Sequence, residues 1–255
     1  MHRIHWLVWA VLLMTLTTTG RADDGFRCET DVFVAAEKEP VQQSLTVFTG
    51  TLVYDFLLGQ SQEITIYDVE RGTIDLLDKK RKLRATILTD DLLQITALYK
   101  TRKAESDLFK FCTEPVFEKT LADNSLTLGS SQFKYRVTCV APRWAGAEQR
   151  YCVFADLSAQ LNAIRPGNLP PFPRMELNKA LAAHQMLPEE IERTITTRNI
   201  TGARRNETIR SRHLFNWALS ARDRQLVEEV GDHLIKYKSV SAEDYLGLAK
   251  KMAKK

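Results

Sequence analysis

Four cysteines, five histidines and several clustered aspartates are the side chains of this 255-residue chain best suited to act as nucleophile, base or metal ligand. The cysteines stand at 28, 112, 139 and 152, with no C-x-x-C spacing and no histidine near any of them in sequence, so no metal site is expected. His184, His213 and His233 fall in separate segments without an i, i+4 partner or an H-E-x-x-H motif. Gly129-Ser130-Ser131 lacks the strand-to-helix setting that would expose a nucleophile, and none of the eleven glycines builds a phosphate-cradling G-x-G-x-x-G or G-x-x-x-x-G-K loop. Asp55, Asp68, Asp75 and Asp78 cluster near strand ends. A glycosidase needs two carboxyls opposed across a cleft, whereas solvated strand ends account for these four equally well. No catalytic residue and no cofactor is therefore expected.

The compartment follows from the N-terminus. MHRIHWLVWAVLLMTLTTTGRA has an early Arg3, an apolar run from Trp6 to Leu16 and a small residue before Asp23-Asp24, which predicts a secretory signal cleaved after residue 22. The apolar run is too short for a spanning helix, which needs about 20 residues, and no later segment is longer. A periplasmic or secreted protein with no transmembrane segment in its mature chain is expected. In an oxidising compartment four cysteines favour disulfides, for which sequence allows three pairings. Cys139 with Cys152 is preferred because both sit on apparent neighbouring strands, which leaves Cys28 with Cys112.

With 36 Lys and Arg against 32 Asp and Glu, the chain lacks the strongly basic balance of a nucleic-acid binder. The acidic excess lies before Arg165 and the basic excess after it. The basic run DKKRKLR at 78–84 reads as a turn opened by Asp78 and followed by a strand, not as a nucleic-acid motif.

The elements that must position any site are strands first. RCETDVFVA, SLTVFTG, TLVYDFLL, EITIYDVE, TIDLLD and KLRATIL are rich in β-branched and aromatic residues and alternate with period two. Their short connections make an antiparallel meander, with Gly72 suited to the positive φ of a tight hairpin. Thr89-Asp90-Asp91 opens a helix predicted to run over about 90–110 and to cover one face. PVFEKTL, NSLTLG, SQFKYRVTCVAP and QRYCVFADL read as further strands, the last two as a hairpin. IRPGNLPPFPR marks a boundary, so 23–165 is one unit and 166–255 a second, containing a helix over 175–186, a hairpin and two helices, packed on the same sheet. Ser220 and Ser241 each precede an acid three residues on, close to a capping box. The fold class is α+β: a curved antiparallel, half-barrel-like sheet with covering helices and a helical C-terminus.

The strands carry apolar residues on both faces, as Ile64 and Ile66 against Tyr67 and Val69 show, which is not the pattern of a sheet with one wet face. This layout, with VYDF, ITIYD and IDLLDKKRKLRATI over roughly Ser44 to Leu157, resembles the periplasmic lipoprotein carriers of the LolA and LppX type. The resemblance implies a hollow that shields an acyl chain. Its lining would comprise Phe48, Val53, Phe56, Ile64, Ile66, Ile74 and Leu76, with Leu93 and Leu98 from the covering helix. The expected function is binding or carrying a lipid or acylated protein. An interaction module with an envelope protein partner is the alternative, and a secreted hydrolase the third reading.

Overall fold

Six short strands in unbroken succession begin the structure. The computed structural model describes residues 25–104, 106–198 and 203–247; the expected signal segment 1–22 lies outside them. Strands β1 (Phe26–Val34), β2 (Gln42–Thr49), β3 (Leu52–Leu58), β4 (Glu63–Asp68), β5 (Thr73–Asp78) and β6 (Leu83–Leu88) pair each with the next, all antiparallel. The β4–β5 turn carries Gly72 at φ +64°, which an L side chain rarely adopts. In the β5–β6 turn the Arg81 amide donates to Asp78 Oδ1 at 2.6 Å. The basic run is thus a surface turn whose Arg81 also donates to the Tyr245 carbonyl at 3.2 Å, with Leu83, Ala85 and Ile87 directed to the core side of β6.

Two helices replace the single one predicted over 90–110. Helix α1 (Thr89–Thr101) ends at Arg102, and α2 (Asp107–Thr113) begins anew with Ser106 Oγ accepting from the Phe109 amide at 3.1 Å. Thr89 does not cap α1; its hydroxyl donates to the Gly72 carbonyl at 3.2 Å. Strands β7 (Glu118–Ala122), β8 (Ser125–Gly129) and β9 (Phe133–Val140) form a second meander.

The predicted strand QRYCVFADL is instead part of α3 (Ala147–Ala163). Ala147, Tyr151 and Ala155 recur every four residues and are all buried, a helical stripe that a short window of β-formers concealed. After α4 (Phe172–Ala183) come the long strands β10 (Leu187–Arg198) and β11 (Arg204–Asn216), then α5 (Ala221–Lys236), β12 (Lys238–Ser239) and α6 (Ala242–Leu246).

The fold is α+β, with one open sheet of twelve strands in the order β12-β6-β5-β4-β3-β2-β1-β11-β10-β9-β8-β7. Among the described strands only β12, pairing with β6, is parallel. The residues after the proline-rich segment supply β10 and β11, which lie between β1 and β9 and join the two meanders. Helices cover both faces of the first meander. On one side, Phe26, Phe48, Val53, Tyr67, Ile74 and Leu76 pack under α3. On the other, Leu45, Val47, Tyr54, Phe56, Ile64 and Ile66 pack under Leu226, Val227, Val230 and Leu234 of α5. No helix among the described residues is long and apolar enough to cross a membrane.

Candidate functional site

The nine residues expected to line one hollow do not share a surface. Phe48, Val53, Ile74 and Leu76 belong to the filled cluster beneath α3, where Phe26 and Phe48 stack with ring centres 4.1 Å apart. Phe56, Ile64 and Ile66 point to the opposite face beneath α5. Leu93 and Leu98 are 50% and 63% exposed, because α1 turns Leu92 and Thr96 inward instead. Period-two alternation divides each strand between two faces, but only the packed helices decide which face is which.

The disulfides expected from the strand assignment are also absent. All four cysteines are free and buried. Cys139 lies on β9 and Cys152 on a helix, so the hairpin that paired them does not exist. Cys28 packs in the cluster under α3, whereas Cys112 joins the cluster of the second meander. Burial raises the Cys28 and Cys112 thiols to about 12 and Cys152 to about 11, so none is an activated nucleophile.

A cavity of about 740 Å³ lies farther along the sheet, between β9, β10 and β11 and the helices above them. Phe133, Ile191, Ile195 and Ile209 contribute its apolar floor, and Leu108 of α2 and Leu169 of the proline-rich segment its roof. Pro170, Pro171 and Pro173 also face it, so the segment read as a domain boundary forms a wall. Arg174, Arg193 and Glu207 are its charged lining residues. An outer cleft of about 670 Å³, edged by Lys100, Glu114, Val116 and Cys152, lies between α4 and the neighbouring helices. It lacks a strand residue in its wall.

The polar wall of the sheet cavity runs inward from Ser211. Ser211 Oγ is 3.0 Å from His213 Nε2, and His213 Nδ1 is 3.2 Å from Thr30 Oγ1. Burial pulls the His213 pKa down to about 3, with the Arg174 charge acting in the same direction, so the imidazole is neutral. The group beyond it is a hydroxyl and not a carboxylate. A serine–histidine pair without such a carboxylate lacks what would stabilise an imidazolium, so the arrangement is a poor general base. Farther along the same side of the sheet, on β3, Asp55 accepts from Thr46 Oγ1 at 2.8 Å, and burial pushes its carboxyl up to about 6.

From the helical side, Arg174 Nε donates to Asn178 Oδ1 at 2.9 Å, and Asn178 Nδ2 donates to Asp156 Oδ1 at 2.7 Å. Arg174 Nη2 also reaches Tyr151 Oη at 3.3 Å. Among the described residues no group of three or more His, Cys, Asp or Glu side chains is placed to hold a metal ion. Arg174 and Arg193 escaped the sequence reading. Ile191, Arg193 and Ile195 share one face of IERTITTR, and an arginine between two core isoleucines is the signal that could have found the cavity.

Fold and cavity together define a class: an open α+β sheet carrying helices over a chamber with apolar walls and cationic side chains. No family model matches this sequence, and comparison with curated proteins finds no significant relative.

Proposed function

We propose that this is an exported, non-catalytic protein that binds or carries a lipid or an acylated partner, sheltering its apolar part in the cavity over β9, β10 and β11. The observation that carries this reading is the chamber itself, about 740 Å³ between sheet and helices with Phe133, Ile191, Ile195 and Ile209 as its floor. Its size falls within the range of small-molecule sites, and burial of an acyl chain there contributes about 25 cal/mol per Å² of apolar surface. The secretory pattern expected of the first 22 residues agrees with it. The neutral His213, lacking a carboxylate partner, speaks against hydrolysis.

Native mass spectrometry of protein purified gently from the cell envelope tests the reading. The wild type is expected to carry a lipid-sized adduct, and Ala159→Phe, which fills the chamber from α3, is expected to lose it while keeping the circular dichroism spectrum. A wild type free of adduct, or an adduct indifferent to Ala159→Phe, contradicts it. A second reading, docking of an envelope protein, draws on β7: it forms one edge of the sheet, and all five of its residues are exposed.

A further inference from the structure

Two guanidinium groups approach the cavity from opposite walls, and among the described residues neither is paired with a carboxylate. Arg193 stands on β10 between Ile191 and Ile195, in register with Tyr135 of β9 and Ile209 of β11. Its Nε is buried without a hydrogen-bond partner. Arg174 comes from α4 and is oriented by neutral groups, Asn178 Oδ1 at 2.9 Å and Tyr151 Oη at 3.3 Å. The acid linked to it, Asp156, is bridged to it by Asn178 and senses its charge without a direct contact. Glu207 is the single acidic lining residue, and it already has Arg205 at 3.5 Å.

A half-buried cation without a counter-ion is costly, and a bound anion offsets that cost. The planar fork of arginine matches carboxylate and phosphate oxygens, and two forks converging on one chamber select an anion over a neutral polar group. We propose that Arg193 and Arg174 receive the anionic headgroup of an acyl amphiphile, a carboxylate or a phosphate monoester, while its chain lies along Phe133, Ile191, Ile195 and Leu169. This rests on the cavity being the ligand site, and it narrows the ligand from apolar to amphipathic and anionic. Ser211, whose hydroxyl lies 3.0 Å from His213 Nε2, adds a neutral polar contact to the lining.

Displacement of the neutral dye N-phenyl-1-naphthylamine from the delipidated chain tests it, with decanol, decanoate, monodecyl phosphate and decyltrimethylammonium as competitors. Decanoate or decyl phosphate is expected to compete at least about tenfold better than decanol, the gain of one charge-assisted contact, and the ammonium to compete worst. The better of the two anions identifies the headgroup. Arg193→Gln is expected to bring the ratio of anion to decanol affinity, measured on the same variant, down to near one. Equal competition by decanol and both anions in the unaltered protein overturns the headgroup proposal while leaving the cavity reading intact. So does an anion preference that survives Arg193→Gln. Failure of the dye and every decyl compound to bind overturns both.

Discussion

Asp55 and His213 lie on the same side of the sheet and respond to burial in opposite ways. Burial raises the Asp55 carboxyl to about 6 from an ordinary value near 3.8, so the folded protein holds a proton that the unfolded chain has released. Stability therefore falls as pH rises through that window. His213 is pulled down to about 3 from about 6.5, so there the unfolded chain holds the extra proton and stability rises with pH. The two slopes oppose one another between roughly pH 4 and 6, and the whole protein conceals both. Asp55→Asn separates them, because the His213 contribution is common to both proteins. Relative to wild type, the variant is expected to gain on the order of 2 kcal/mol between pH 4 and pH 8, at about 1.4 kcal/mol per pKa unit. Urea denaturation at the two pH values measures it, and an unchanged difference would sink the assignment. Neither titration was legible in the sequence. Asp55 reads there as one of several strand-end acids and His213 as a lone histidine, because the α3 and α4 residues beside them, Tyr151 and Arg174, are distant in the chain.

At the scale of elements, local signals succeeded where the deciding contacts are local. The capping box at Ser220 is present in full: Ser220 Oγ accepts from the Asp223 amide at 3.1 Å, and the Ser220 amide donates to Asp223 Oδ2 at 2.7 Å. Arg27 Nη1 of β1 donates to the same carboxylate at 3.0 Å, so the cap also pins α5 to the sheet. Ser220→Ala is expected to cost about 1 kcal/mol in urea denaturation. An effect below a few tenths would mean that Asp223 and Arg27 hold the helix start unaided. Helix α3 shows the opposite case. Tyr151, Cys152, Val153 and Phe154 are strand formers over four residues, yet the packing of Ala147, Tyr151 and Ala155 against Phe48 and Phe215 makes the segment helical. Intrinsic preference gave way to tertiary contact, and the disulfide inferred from a hairpin fell with it.

For the whole molecule, the sheet order ties early and late sequence together. Strand β11 closes on β1, and β10 on β9, so the two meanders have no hydrogen-bonded strand in common without the residues after 166. A fragment of residues 25–165 is expected to expose both unpaired strands, to aggregate on size exclusion and to lose cooperative thermal unfolding. A monomeric fragment that unfolds cooperatively would show that the first unit folds alone. The sequence by itself determined the α+β class, the first strand meander, the hairpin turns at Gly72 and Asp78 and the capped C-terminal helices, because each depends on side chains within a few residues of one another. Only the tertiary structure decided which strand face lies under which helix, where the cavity opens, and that Arg174 and Arg193 both line it. Those outcomes depend on β10 and β11 inserting between distant strands, and alternation along one strand carries no information about the neighbour that will cover it.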